Sequence, residues 1–166
     1  MSVTTRREVA VRLGIGGLGL ALAARGVSAV AQEATPVGPG GVTTDILGMG
    51  QPDAAPGQTL VGRRNTYEPG GFTPAHHHPG ALVVHVESGE LTYTVIEGNV
   101  QVQRATTAGT PGPTEELGPG QETVLLAGDW VFEQGVVHSV RNDGSAPTVA
   151  LVTALTATDE PYTVFH

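Results

Sequence analysis

Short segments in which apolar and polar residues alternate dominate the chain from Thr59 onward. In residues 91–96, LTYTVI, apolar and polar side chains nearly alternate, which is typical of a strand with one covered face. Similar segments, separated by turn residues, predict strands over 59–67, 71–78, 82–87, 91–97, 100–106, 122–127, 129–133, 136–141 and 148–156. After the first 31 residues no segment predicts a helix of normal length. The pattern therefore predicts an all-β protein.

The 166 residues have room for one domain, and no internal repeat is visible. Residues 32–57 are rich in Gly, Pro, Ala and Thr, so we expect a flexible lead-in with one edge strand near 42–47. Residues 107–120 are rich in turn residues and predict a solvated loop or a lid. We expect the β domain at 58–156 and a short C-terminal tail at 157–166.

Residues 1–31 have the features of an export signal. Arg6 and Arg7 precede an apolar run over 13–22, and residues 29–31, AVA, fit a small-residue cleavage site. The paired arginines resemble a twin-arginine signal. The apolar run is too short and too Gly-rich to predict a comfortable membrane span. We expect cleavage after residue 31 and a protein exported to the periplasm or the extracellular space, with no membrane association after cleavage.

Charge and composition narrow the choice of partners. The net charge is −8, and removal of 1–31 leaves four arginines against fifteen acidic residues, a net charge of −11. The absence of lysine and the acidic balance argue against nucleic acid and anionic membranes as partners. The chain has no cysteine, which excludes disulfides and thiolate chemistry. Stability must come from the core, with a homodimer interface as a further expected source.

Four of the six histidines lie between residues 76 and 85. Residues i and i+2 point to the same side of a strand but about 200° apart around a helix, so His76 and His78 converge on one metal only in an extended segment. Pro74 and Pro79 flank the triplet and disfavour a helix. His77 then points away. The alternatives are structural histidines, a polar turn, or a His-rich tract that binds metal without a fold around it.

A second segment, residues 128–142 (GDWVFEQGVVHSVRN), places His138 among valines on a predicted strand. A buried imidazole needs a polar partner, and a metal would be one.

Together the two segments resemble the paired motifs of the cupin superfamily. The first family motif runs Gly, five residues, His-x-His, three or four residues, Glu, six residues, Gly; the matching positions are Gly70, His76, His78 and Gly89. The second runs Gly, five residues, Pro-x-Gly, two residues, His, three residues, Asn; the matching positions are Gly128, Gly135, His138 and Asn142. In the second motif one residue fewer separates the glycines, and Glu133 stands where the proline would fall. The resemblance implies a single-domain double-stranded β-helix, or jelly-roll barrel.

The family glutamate would fall at Leu82 or Val83, and neither side chain can coordinate a metal. The resemblance therefore implies a three-histidine site, His76, His78 and His138, for a divalent transition metal, with Fe(II), Mn, Zn, Ni and Cu all open. Such a site is similar to that of thiol dioxygenases and diketone-cleaving dioxygenases in the superfamily. Loss of the glutamate equally marks cupins that have lost their metal. Cupins also often swap an N-terminal strand onto a neighbouring subunit, which is an alternative for the lead-in.

Leu82, Val84 and Val86 share the strand parity that brings the first two site histidines together, so we expect them to line an apolar pocket beside the metal. His85 faces away from Leu82 on a regular strand, and it becomes a ligand only if a bulge reverses it. Otherwise His85 and His77 are expected beside the ligands or at the surface. Two functions follow: a metal-dependent, dioxygenase-like enzyme acting on a small organic molecule, or a non-catalytic cupin that binds a small ligand or stores metal.

Overall fold

A computed structural model of the chain describes residues 40–106, 110 and 112–166. The predicted export signal, 1–31, and the first part of the predicted lead-in, 32–39, lie outside the described residues. Within the described residues, no helix is long and apolar enough to cross a membrane.

The described part of the chain is built of strands and contains no helix. Its strands are β1 (Val42–Gly50), β2 (Gln58–Tyr67), β3 (Phe72–His77), β4 (Gly80–Ser88), β5 (Glu90–Glu97), β6 (Val100–Gln103), β7 (Thr114–Leu117), β8 (Glu122–Leu126), β9 (Trp130–Gln134), β10 (Val137–Arg141), β11 (Thr148–Ala157) and β12 (Val164–Phe165).

Two antiparallel sheets form the barrel. One sheet has seven strands in the order β1-β2-β11-β4-β9-β6-β7, and the other has five in the order β12-β3-β10-β5-β8. From β2 to β12 consecutive strands change sheet at every step except the β6–β7 hairpin. This alternation between two facing sheets is the jelly-roll arrangement, so the predicted all-β jelly-roll class is confirmed.

The core lies between the sheets and follows the period of two along each strand. In β4, Leu82, Val84 and Val86 are buried, whereas the residues between them, Val83 and His85, are half-buried. In β5, Leu91, Tyr93 and Val95 face the same interior and are at most 1% exposed. Burial of these side chains is the main favourable contribution to folding, at roughly 25 cal/mol per Å² of apolar surface removed from water.

The four motif glycines lie at turns that need a left-handed backbone. The φ angles are 77° at Gly70, 79° at Gly89, 93° at Gly128 and 63° at Gly135. At Gly89 a Cβ atom would also lie 2.6 Å from Oγ1 of Thr148. Glycine is required there both by the backbone conformation and by the lack of space.

The barrel extends beyond the predicted limits of 58–156. β1 pairs with β2 of the same chain along its whole length, and β12 in the predicted tail pairs with β3. β7 lies inside the predicted turn-rich loop and pairs with β6, which ends at Gln103 and not at residue 106. β1 includes the edge strand predicted near 42–47, whereas β7 and β12 have only four and two residues, too few to show a period of two in the sequence.

Candidate metal centre

Three histidines meet inside the barrel, from two neighbouring strands and the residue just after one of them. His76 on β3 is the direct cross-strand partner of His138 on β10, and His78 follows the end of β3. One ring nitrogen from each of the three lies within 4.8 Å of the other two. The ring centroids of His76 and His138 are 4.2 Å apart. The structure thus brings together the three predicted ligands.

Backbone carbonyls determine which ring nitrogen is available in two of these histidines. Nδ1 of His76 lies 2.7 Å from the carbonyl oxygen of Pro74, and Nδ1 of His78 lies 2.7 Å from that of Tyr162. A carbonyl oxygen only accepts, so each Nδ1 carries the proton and donates it. The lone pair is then on Nε2, the nitrogen that a metal would bind.

Burial keeps the three rings neutral. Desolvation lowers the pKa of His78 to about 4 and that of His138 to about 3, and it also lowers the pKa of His76. Neutral imidazoles with lone pairs in place are the form that binds Zn²⁺, Fe(II), Mn²⁺, Ni²⁺ or Cu²⁺. The donor set therefore fits a divalent transition metal.

Glu133 is the site residue that sequence reasoning missed. It lies on β9 opposite Leu82 and is 3% exposed. The Tyr93 hydroxyl donates to its Oε2 atom, which also lies 3.3 Å from Nδ1 of His138. Neither that nitrogen nor Oε1 of Glu133 has a hydrogen-bond partner. The cross-strand partner of Leu82 thus places a buried carboxylate beside His138.

Burial of Glu133 changes the pKa of this residue and of Tyr93. Desolvation raises the pKa of Glu133, and desolvation together with the nearby carboxylate raises the pKa of Tyr93. The Tyr93 ring is stacked on the His138 ring, with centroids 4.8 Å apart and planes 10° apart. The sequence contained one signal for this residue. Glu133 lies two residues after Val131 in a mostly apolar strand, so strand alternation places it on the same, inward face.

A cavity of about 230 Å³ opens beside the three histidines. It is smaller than the roughly 300–1,000 Å³ of sites for drug-sized molecules, so it suits a small ligand. Leu82 and Val84 line it, as predicted. Val86 does not: it is 0% exposed in the core, which corrects the prediction. The other lining residues include Thr44, Arg63, Asn65, Tyr67, Thr73, Tyr93, Glu133, Val152, Tyr162 and Phe165.

His77 and His85 lie outside the histidine cluster. Nδ1 of His77 is 2.8 Å from Nε2 of His166, near the end of the chain. His85 is half-buried on the face of β4 opposite to Leu82. The irregularity in the pairing of β4 with β11 comes after His85, between Val86 and Ser88, so it does not turn the ring inward. Neither residue reaches the candidate centre.

No protein-family model matches the chain. Germin-like protein subfamily 2 member 2 of Arabidopsis thaliana is 33% identical over 88 residues, which is 53% of this chain and 33% of that protein. The chain thus spans about a third of the length of the curated relative it matches.

Several solved structures are similar in part. Oxalate decarboxylase OxdC of Bacillus subtilis has a TM-score of 0.49 and 19% identity over 79% of this chain and 29% of that one. The polyketide cyclase RemF of Streptomyces resistomycificus has a TM-score of 0.44 and 21% identity over 82% of both chains. The DMSP lyase DddQ of Ruegeria pomeroyi has a TM-score of 0.37 and 22% identity over 64% of this chain and 42% of that one. These values are low, and the functional interpretation depends on the geometry of the site.

Proposed function

We propose that this chain is a cupin that uses His76, His78 and His138 to hold a divalent transition metal and acts on a small organic substrate. The observation that carries the proposal is the convergence of the three ring nitrogens within 4.8 Å. The fixed tautomers of two rings, the paired motifs and the partial similarity to a germin-like protein support it.

The protein's own groups perform three tasks in this proposal. Backbone carbonyls orient two ligands, and the Glu133 carboxylate lies against the third. Leu82, Val84 and Val152 keep one side of the cavity apolar and exclude water. When bound by three neutral imidazoles, a divalent metal keeps its full charge and would supply Lewis-acid chemistry and, for Fe(II), redox chemistry. Since the three imidazoles carry no negative charge that would cancel part of it, the site favours anionic or chelating ligands.

We further propose that the reaction is dioxygenase-like. The test is to purify the protein after expression of the full chain, measure bound metals by mass spectrometry, and follow oxygen uptake with diketones, thiols and phenols. We expect about one metal ion per chain and turnover with at least one class. Less than about a tenth of an ion per chain after reconstitution would end the proposal.

Matched histidine variants make this test specific. His138→Ala is expected to reduce metal occupancy to background, whereas His85→Ala, which changes a half-buried ring on the other face of the sheet, should leave it unchanged. Full occupancy without turnover on any of the substrates would instead identify a protein that binds a ligand or stores metal.

Export by the twin-arginine route belongs to the same proposal. Replacement of Arg6 and Arg7 by lysine should retain the full-length precursor inside a bacterial host that has this route. Unchanged appearance of processed protein outside the inner membrane would contradict the twin-arginine assignment and leave the metal site unaffected.

A further inference from the structure

A pair of histidines lies on the outer face of the barrel, apart from the three histidines inside it. Nδ1 of His77 lies 2.8 Å from Nε2 of His166, and the two ring centroids are 5.0 Å apart. The sixth histidine of the chain, His85, lies on the other sheet. The candidate metal centre uses neither ring of the outer pair.

Strand pairing brings the two outer rings together. Val164 on β12 is the cross-strand partner of His77 on β3, and the His166 amide donates to the Ala75 carbonyl, 2.9 Å away. Neighbouring side chains of a strand point to opposite faces, so His77 faces away from His76, and His166 meets it there. His77 is half-buried and His166 is exposed. An ion can therefore reach the pair from solvent without entering the cavity.

The distance between the two nitrogens indicates which ion the pair would bind. In the hydrogen bond, one neutral ring donates its proton to the lone pair of the other ring, and a metal ion can take the place of that proton. Two nitrogens bonded to one ion at about 2.0 Å lie about 2.8 Å apart at a right angle and about 3.3 Å apart at the tetrahedral angle. The observed 2.8 Å matches square-planar Cu²⁺ or Ni²⁺ better than tetrahedral Zn²⁺.

We propose that His77 and His166 form a second metal site, which takes Cu²⁺ or Ni²⁺ and fastens β12 to β3. Water molecules would complete the coordination, because the pair supplies two ligands. With two ligands against three, this outer site should bind more weakly than the inner histidines, so it fills when free ion is present and empties during purification. The net charge of −8 favours the approach of a cation.

An ion at the outer site would strengthen a weakly held part of the cavity wall. β12 has two residues and two cross-strand pairs with β3. Tyr162, Thr163 and Phe165 line the cavity, and the Tyr162 carbonyl accepts a hydrogen bond from His78. When β12 detaches, His166 leaves His77 and the ion loses one of its two protein ligands. Bound ion thus favours the attached state of this segment.

A purely structural role would leave His77 and His166 as a hydrogen-bonded pair that binds no metal. An asparagine at position 166 separates the two roles, because it keeps a side-chain hydrogen-bonding group but lacks the imidazole nitrogen that suits Cu²⁺. If the pair is only structural, His166→Asn and wild type bind the same number of ions. If the pair is a metal site, His166→Asn binds one ion fewer.

The first experiment counts bound Cu²⁺ on the full chain by calorimetric titration and electron paramagnetic resonance. Wild type is compared with His77→Ala, His166→Asn and the matched control His85→Ala, which removes a half-buried ring from the other sheet. We expect about two ions per chain in wild type and in the control, and about one in the other two variants. At the weaker site, Cu²⁺ should bind about tenfold or more tightly than Zn²⁺.

An unchanged count in His77→Ala and His166→Asn would overturn the second site, as would an equal loss in His85→Ala. Tighter binding of Zn²⁺ than of Cu²⁺ at the weaker site would overturn the square-planar assignment. If His77→Ala fails to fold, His166→Asn decides, because it changes an exposed ring.

The second experiment measures backbone hydrogen exchange of residues 164–166 with and without Cu²⁺. At a free Cu²⁺ concentration of about ten times the Kd of the outer site, exchange should slow by about tenfold in wild type, because the ion binds only the attached state. His77→Ala should show no such slowing, although its inner histidines still bind Cu²⁺. Equal slowing in wild type and His77→Ala would contradict the fastening of β12.

The inner and outer sites can fail separately in these experiments. A single ion per chain that is lost in His138→Ala and kept in His77→Ala supports the centre inside the barrel and contradicts the outer site. A single ion that is lost in His77→Ala and kept in His138→Ala supports the outer site and contradicts the inner one.

Discussion

Glu133 places a buried carboxylate beside His138 from β9. It is the cross-strand partner of Leu82, and its Oε2 atom lies 3.3 Å from Nδ1 of His138. A carboxylate that accepts a hydrogen bond from a ligating imidazole orients that ring and raises its basicity. We therefore interpret Glu133 as a positioning residue for His138 in the proposed metal site.

Replacing this carboxylate gives the first prediction. Glu133→Ala should weaken Zn²⁺ or Fe(II) binding by roughly 10- to 100-fold, and Glu133→Gln by less, because the amide keeps a polar oxygen beside the His138 ring. The measurement is a competitive titration against a chelator of known affinity. Glu97→Gln, at an exposed strand end, is the control. If Glu133→Ala binds metal with wild-type affinity, Glu133 only packs against His138 and does not position it.

Among the strands, β12 and the residues before it have a larger role than their length suggests. Tyr162 precedes β12, and its carbonyl fixes the tautomer of His78. β12 pairs with β3, the strand that carries His76, and Phe165 is paired with that histidine. A segment predicted as a plain tail thus forms part of the wall of the cavity.

Two truncations separate these contributions. Removal of 162–166 deletes the acceptor of the His78 Nδ1 proton and should weaken metal binding roughly 10- to 100-fold. Removal of 164–166 deletes β12 but leaves that carbonyl, and we expect a change of less than about threefold. Both proteins should keep the far-ultraviolet spectrum of a β-barrel, since the remaining strands are untouched. The idea is refuted if the two truncations weaken binding equally.

Considered as a whole, the metal-free barrel contains three imidazoles that burial keeps uncharged. Their folded-state pKa values are lowered, to about 4 for His78 and about 3 for His138, from the value near 6.5 expected in an unfolded chain. Between these limits the unfolded chain binds more protons, so the free energy of unfolding falls as the pH falls. The raised pKa of Glu133 acts in the opposite direction, but it is one group against three.

The third prediction follows from this balance. In the presence of a chelator, the unfolding temperature of wild type should drop by roughly 5 °C or more between about pH 7 and about pH 5. His138→Ala should flatten this dependence, because one of the three uncharged rings is absent. Circular dichroism melts at several pH values check it. A steeper dependence in the variant would contradict the assignment of the effect to the histidines.

Bound metal should stabilise the folded barrel at neutral pH. An ion that binds only the folded barrel raises the free energy of unfolding by about 2.7 kcal/mol when its concentration is 100 times Kd. The unfolding temperature should therefore rise with added Zn²⁺ and return to its starting value with excess chelator. A rise that persists in His76→Ala would place the ion elsewhere.

The sequence alone determined the all-β class, most strand positions and the three histidines that meet. These depend on local periodicity, since alternation along one strand decides which side chains share a face. It also predicted that Leu82 and Val84 line the cavity. The prediction for Val86 was wrong because strand parity gives the face of a residue but not its distance from the cavity.

Only the tertiary structure placed the Glu133 carboxylate beside His138, the Tyr162 carbonyl on His78 and Arg63 in the cavity wall. Each of these contacts joins residues on different strands or in different segments of the chain, and its geometry depends on strand order and register. Register is decided by packing between the sheets, which no short sequence window contains. The three histidines could therefore be predicted from the sequence. The residues that position them could be identified only from the tertiary structure.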